Sequence, residues 1–216
     1  MTPKIIAHRG VTRNDQENTL PAYHQAFSDG ADGLEIDVRL SKDKKPIIFH
    51  DEDTSRLFKK SLEIKNTTFF ELEALGNNEN RIPLLDEVLD FLPQNKECFI
   101  EIKSDANTVP FLDKMKIEKK NITFLSFDKN VVLALKKRFP NKLVFQSFHM
   151  LQIERYGIKK ILEFYTKGNS DGLSIDIRGL SNKTIDKILE KKIDLIIWTL
   201  NSMERLKELS LSLIHI

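Results

Sequence analysis

The chain has 216 residues, 40 % of them hydrophobic, and 34 Lys plus Arg against 32 Asp plus Glu, for a formal net charge of +2. That is enough apolar sequence for one large α/β domain over residues 1–216, and a balanced, scattered charge excludes a nucleic-acid track or a polybasic membrane anchor. A single cysteine, Cys98, excludes an internal disulfide framework and reads as a buried small hydrophobe; with no signal-peptide core in MTPKIIAHRG and no membrane-length apolar run, the expected setting is cytoplasmic.

In chain order, the first predicted strand is "KIIAH" at 4–8, which runs directly into His8-Arg9-Gly10. A helix is predicted over 18–30, then strands at 33–40 (GLEIDVRL) and 45–50 (KPIIFH), and a helix over 84–93. Strands follow at 98–103 (CFIEIK) and 122–127 (ITFLSF), a helix at 130–140, and strands at 142–148 (KLVFQSF) and 172–178 (GLSIDIR). The helix predicted at 181–192 carries an apolar stripe of Ile185, Ile188 and Leu189, and the strand at 195–200 (LIIWTL) ends the clear pattern. Short strands alternating with helices predict βα units and a mostly parallel sheet, either a barrel or an open doubly wound sheet. No Gly-rich phosphate loop follows the first strand.

One connection breaks the alternation. Between "LEIDV" and "IIFHD" the linker RLSKDKKP is too short for a parallel crossover, so these segments form an antiparallel hairpin. A turn centred on Asp43-Lys44 sets Asp37 opposite His50.

Glu35 and Asp37 are two residues apart on a strand, so both carboxylates leave one face while Leu34, Ile36 and Val38 pack on the other. Two carboxylates on one buried face repel each other unless a cation sits between them. "FIEIK" repeats the device with Glu101 and Lys103. Each feature alone has a plain reading, as a solvated edge or a partly buried ion pair. Together, His8, the E-x-D, His50-Asp51 and E-x-K cluster at or near strand ends, with three carboxylates able to supply hard oxygen ligands.

The segments IIAHRG, QENTLPAYHQAFSDGADGLEIDVRLSKDKKPIIFHDEDTSR, IPLLDEVLDFLP and FIEIKSD, with LSFD at 125–128 and WTLN at 198–201, resemble the glycerophosphodiester phosphodiesterase family over essentially the whole chain. The resemblance implies an α/β fold of the variant TIM (β/α)8 barrel type, with its site above the C-terminal strand ends. It implies that Glu35, Asp37 and Glu101 hold one divalent cation, Mg²⁺ or Ca²⁺. His8 and His50 match the acid/base histidines, Arg9 a phosphate-binding arginine, and Lys103 a basic residue near the phosphate. Glu17, Asn18 and Arg56 match further residues near the substrate. The expected reaction is hydrolysis of a small-molecule glycerophosphodiester to glycerol 3-phosphate and an alcohol, by attack of water or of the substrate's own glycerol hydroxyl. Which histidine is acid and which base stays open.

The resemblance also implies a short rim insertion at about 52–83, which the hydrophilic DEDTSRLFKKSLEIKN and GNNENR fit. Trp198 reads equally as a wall against the glycerol moiety or as core, and His24 and His149 as structural or surface residues. Two alternatives are a lysophospholipase D-like activity, for which Leu57, Phe58, Phe69 and Phe70 are the local apolar candidates, and an inactive binding module. The sequence departs from the family at Gln16, where proline precedes E-N-T, and at its end. There SMERLKELSLSLIHI stops about where a last strand begins, so the barrel is expected to be truncated, unless SLIHI closes it. An unclosed barrel would partly expose residues near Ile5, Ile196 and Trp198 and lower stability, which a longer final strand would restore.

Overall fold

A computed structural model describes residues 4–13, 16–77, 79–166, 170–202 and 214–215. The strands in chain order are β1 (Lys4–His8), β2 (Gly33–Leu40), β3 (Pro46–Ile48), β4 (Glu97–Ile102), β5 (Asn121–Ser126), β6 (Leu143–Phe148), β7 (Gly172–Asp176), β8 (Asp194–Trp198) and β9 (Ile214–His215). Between them lie α1 (Leu20–Ser28), α2 (Phe69–Glu73), α3 (Leu85–Phe91), α4 (Lys129–Arg138), α5 (Met150–Thr166) and α6 (Asn182–Glu190). Parallel strands linked by helices, with one inserted hairpin and a two-residue last strand, make the fold a truncated variant TIM barrel, the expected class. Two compact units are distinguished, Ala7–Ile122 and a second formed by Met1–Ile6 with Thr123–Ile216.

In the Ala7–Ile122 unit, β2 pairs parallel with β4, Glu35 standing against Phe99 and Asp37 against Glu101. Leu34, Ile36 and Val38 are fully buried on one face of β2. Each buried side chain of this size contributes roughly 1.5–3 kcal/mol, so a one-residue slip that turned Glu35 and Asp37 into their place is strongly disfavoured. The other face of β2 is therefore committed to the carboxylates.

The β2–β3 hairpin forms, but one residue out of the expected register. Val38 faces Ile48, Arg39 faces Ile47 and Leu40 faces Pro46, which sets Asp37 opposite Phe49 and not His50. The Phe49 amide donates to the Asp37 carbonyl at 2.9 Å. The loop is the reason. Ser41 and Lys45 close it through the Ser41 amide and Lys45 carbonyl at 3.0 Å, and Lys44 takes the left-handed φ of +62°. That is a three-residue loop with a left-handed third residue, whereas a turn centred between Asp43 and Lys44 assumes two.

Residues 52–83 carry more apolar packing than their charged sequence implies. Ile47, Phe49, Ile64, Leu72 and Ile82 form a small core against which Leu57, Phe58, Leu62 and Phe69 pack. Phe70 is the exception, at 79 % exposed. Helix α2 begins in a capping box, with Thr68 and Glu71 each bonding the other's backbone amide.

In the second unit β5, β6, β7 and β8 pair parallel in that order, and β9 pairs parallel with both β8 and the start of β1. Ile214 stands against Lys4 and Ile196, so Ile214–His215 supply a pairing strand, and the rest of SMERLKELSLSLIHI from Met203 on lies outside the described residues. Of the three residues expected to be partly exposed, Ile5 is 50 % exposed and Trp198 is half-buried, whereas Ile196 is fully buried. The stripe on α6 is realised, with Ile185 and Ile188 buried and Leu189 packed at the edge of the same cluster. Asp128 and Ser181 cap α4 and α6 by accepting from the Asn130 and Thr184 amides.

Candidate active site

The three carboxylates expected to act together do converge. Glu35, Asp37 and Glu101 are 2 %, 0 % and 8 % exposed, and each offers an oxygen within 4.8 Å of the others. Strand alternation brings Glu35 and Asp37 to one face, and the parallel register places Glu101 directly beside Asp37. Lys103 Nζ lies 2.6 Å from Glu101 Oε1 and 3.3 Å from Asp37 Oδ1. Glu35 Oε2 is buried with no hydrogen-bond partner among the described residues, and the His8 imidazole Nε2 lies 3.8 Å away. Burial, and then the Asp37 and Glu101 charges, push the Glu35 carboxyl well above the usual carboxylate range. Burial also raises Glu101, while for Asp37 the burial penalty is outweighed by Lys103 and Arg9, which hold it low. A buried, oxygen-only donor set with an orphaned carboxylate oxygen fits a hard divalent cation such as Mg²⁺ or Ca²⁺.

The loop after β1 carries the guanidinium. Arg9 and Gly10 have φ of +60° and +85°, and the chain turns so that the Arg9 amide donates to the Glu35 carbonyl at 3.0 Å. Arg9 Nε reaches Asp37 Oδ2 at 3.1 Å, and Nη1 donates to Glu17 Oε1 at 3.0 Å. Asn18, also left-handed at +59°, donates from Nδ2 to Asp37 Oδ2 at 2.8 Å and accepts the Tyr23 hydroxyl at 2.8 Å. Tyr23 thereby fixes which end of the Asn18 amide meets the carboxylate. Gly10 has no room for a side chain, since a Cβ would stand 2.8 Å from the Ala22 carbonyl carbon. Gly10→Ala is therefore expected to cost roughly 1–3 kcal/mol from strain at a positive φ, with the clash against helix α1 in addition. Chemical denaturation measures it, and a change below about 0.5 kcal/mol, the range of neutral surface substitutions, would contradict the close approach.

His50 emerges just after β3, where Arg39 Nε donates to its carbonyl at 2.8 Å. Its Nδ1 is 2.6 Å from Asp51 Oδ1, which assigns the Nδ1 proton to that bond and leaves Nε2 as the exchanging nitrogen. Arg56 Nε donates to the second Asp51 oxygen, and its Nη2 and Nη1 donate to Glu17 at 2.6 and 3.1 Å. Glu17 thus bridges Arg9 and Arg56, and holds both guanidinium groups in place. Burial pulls the His50 imidazole below its ordinary value, Lys103 and Arg9 adding to this against Asp37 and Asp51.

Burial, and then the adjacent Arg9 cation, lower His8 to about 4. In an unfolded chain the imidazole titrates near 6.5, so between the two values the unfolded state binds more protons and stability falls as pH falls. The full difference is roughly 3 kcal/mol, reduced by water at a ring that is 30 % exposed. In urea melts of metal-free protein, His8→Asn should gain on the wild type as pH drops from 7 to 5. A difference that stays constant across that range would contradict the assignment.

Among the residues singled out from sequence, Glu35, Asp37, Glu101, His8, Arg9, Glu17, Asn18, His50, Arg56 and Lys103 all lie in the Ala7–Ile122 unit and are joined by the contacts above. Trp198 ends β8 in the second unit, where Phe127 meets it edge-on and His149 is tilted against it. Two residues that sequence reading passed over, Tyr23 and Arg39, belong to the network, and Asp51, read only as part of His50-Asp51, is the partner of His50 and Arg56. Arg39 was within reach of the alternation argument, since it continues the Glu35–Asp37 face by two residues. Cys98 is buried, as expected.

The family model for the glycerophosphoryl diester phosphodiesterase family matches residues 8–166. A glycerophosphodiester phosphodiesterase of Bacillus altitudinis is 37 % identical over 108 residues, covering 46 % of this chain and 44 % of the relative. One from Caldanaerobacter subterraneus is 33 % identical over 143 residues, covering 62 % and 58 %. The matched segments thus span about half the length of these curated relatives. The solved structure of a glycerophosphodiester phosphodiesterase from Thermotoga maritima superposes with a TM-score of 0.84 at 30 % identity, covering 100 % of this chain and 93 % of that one.

Proposed function

This chain belongs to the glycerophosphoryl diester phosphodiesterase family, and from that membership and the geometry of the site we propose that it is a metal-dependent hydrolase releasing glycerol 3-phosphate and an alcohol from glycerophosphodiesters. The observation that carries this reading is the buried Glu35–Asp37–Glu101 cluster with its orphaned Glu35 oxygen, flanked by two imidazoles, a guanidinium and an ammonium. A divalent cation held there would polarise the phosphoryl oxygens and neutralise the charge that grows on them in displacement.

The chain's own residues supply the rest. Arg9, oriented by Asp37 and Glu17, offers paired donors to a phosphodiester, and Lys103 acts as a nearby point charge. One histidine takes the proton from the attacking oxygen and the other delivers one to the leaving alkoxide, His50 working through Nε2 because Asp51 holds Nδ1. The attacking oxygen is water or the substrate's glycerol hydroxyl, the latter giving a cyclic phosphate first. Glu17, Asn18 and Arg56 act by positioning Arg9, Asp37 and Asp51. Residues 52–83 are assigned to a rim insertion that brings Arg56 to the site.

A lysophospholipid substrate would want an apolar ramp, but of its four candidates Leu57, Phe58 and Phe69 pack into the small core of the 52–83 segment and Phe70 alone is exposed. Release of glycerol 3-phosphate from glycerophosphocholine and glycerophosphoethanolamine, measured beside lysophosphatidylcholine with added Mg²⁺ or Ca²⁺, tests the reading. Faster turnover of the water-soluble diesters is expected; preference for the lysolipid would replace it with the lipid reading.

A further inference from the structure

The Tyr23 hydroxyl is a buried polar group that no step of the proposed reaction uses. Tyr23 is fully buried on α1, and Asn18 is 2 % exposed. The hydroxyl donates to Asn18 Oδ1 at 2.8 Å, and Asn18 Nδ2 donates in turn to Asp37 Oδ2 at 2.8 Å. Arg9 Nε reaches the same Asp37 oxygen at 3.1 Å. Asp37 Oδ1, by contrast, is buried with no hydrogen-bond partner among the described residues, and the Lys103 ammonium lies 3.3 Å from it. The two oxygens of one carboxylate are thus unlike. Oδ2 is held by two donors, whereas Oδ1 is left for another ligand, as Glu35 Oε2 is.

We propose that Tyr23 is a positioning residue for the cation site: by holding Asn18 it fixes Asp37 through Oδ2, and so presents Oδ1 to the divalent cation. Without the hydroxyl, Asn18 Oδ1 becomes a buried acceptor with no partner, and the amide regains one only by turning, which takes Nδ2 off Asp37. The side chain is the part that turns, because the Asn18 backbone amide is tied to the Arg9 carbonyl at 2.9 Å in a left-handed conformation. Burial, and then the Asp37 and Glu35 charges, push the Tyr23 hydroxyl well above its ordinary value, so it stays a donor at neutral pH. Hydrogen bonds behind a metal-binding side chain are typically worth roughly 10–100-fold in affinity, and Tyr23, one bond further back than Asn18, falls at the lower end. The inference rests on the metal-dependent reading and goes beyond it, in assigning the Asp37 oxygen that serves as ligand and the residue that selects it.

The test is calorimetric titration of the chelator-stripped chain with Mg²⁺ and, in parallel, with Ca²⁺, without substrate. Tyr23→Phe removes one oxygen and keeps the ring, and should bind the cation roughly tenfold more weakly; Asn18→Ala should weaken it by at least as much. Because the hydroxyl acts only through Asn18, adding Tyr23→Phe to Asn18→Ala should bring no further loss of affinity. A packing role alone would lower the melting temperature of Tyr23→Phe in chelator and leave its cation affinity at the wild-type value. That result would overturn the proposal, as would two losses of affinity that simply add in the double variant. A wild type that binds neither cation would overturn the metal-dependent reading and this inference together, whereas wild-type binding that Tyr23→Phe leaves unchanged removes the role of Tyr23 alone.

Discussion

Glu35→Gln is expected to make the metal-free protein more stable and the enzyme inactive. Glu35 is 2 % exposed, has an oxygen with no hydrogen-bond partner among the described residues, and shares its face with Asp37 and Glu101. Its proton affinity in the folded state is raised, so its favourable contribution is present below its ordinary value near 4.3 and is lost as pH rises through the folded value. At neutral pH the ionised form is therefore a net cost without a cation. A neutral amide of the same shape removes that cost and gains donors toward Asp37, which should stabilise by about 1–3 kcal/mol. In a chain of this size that is roughly 2–12 °C in melting temperature.

With saturating Mg²⁺ or Ca²⁺ the order should change, because the wild type gains the binding energy of the cation and the variant loses a ligand. Hydrolysis should fall by at least about 10³-fold, corresponding to several kcal/mol of lost charge stabilisation. Thermal melts in chelator and in cation read both halves. A variant that melts lower than the wild type in chelator would show that Glu35 is a structural group.

His50→Asn should separate catalysis from cation binding. The imidazole stands on the Asp51 side of the site, and no carboxylate of the cluster depends on it for a hydrogen bond. Losing a positioned proton-transfer group typically costs 10²–10⁴-fold, so kcat is expected to drop by about that much while the cation-induced rise in melting temperature stays. Asp51→Asn should lie in the same direction but be smaller, because it disturbs the tautomer and not the group itself. Loss of cation-induced stabilisation in His50→Asn would place His50 among the ligands instead.

The parts of this site legible in the sequence are those that depend on strand periodicity. Glu35 and Asp37 share a face of one strand, and Glu101 and Lys103 a face of another, because side chains alternate every residue; the β2–β4 register that sets Asp37 beside Glu101 came only with the fold. The hairpin was legible as a hairpin, but its register turned on one backbone angle, the positive φ of Lys44, and a loop of two residues shifts to three without any change in composition. Helix α5, kinked at Gly157 with a φ of +72°, was missed although Ile158, Ile161, Leu162 and Tyr165 recur at helical spacing and pack on one core. The charged look of residues 52–83 hid a core, since Leu57, Phe58, Leu62 and Ile64 are separated by lysines and acids that point outward. The supporting roles of Tyr23 and Asp51 belong to contacts across the fold, Tyr23 reaching Asn18 and Asp51 linking His50 to Arg56. No spacing rule announces such partners.

The central claim is that a cation at Glu35, Asp37 and Glu101 is what makes this site hydrolytic. It is tested most directly by glycerol 3-phosphate release from glycerophosphoethanolamine with protein stripped by chelator, then reconstituted with Mg²⁺ or Ca²⁺, in the wild type and in Asp37→Asn. Release should be absent from the stripped protein, return with the cation in the wild type, and stay absent in Asp37→Asn. Undiminished release by protein whose metal has been verifiably removed would contradict the account.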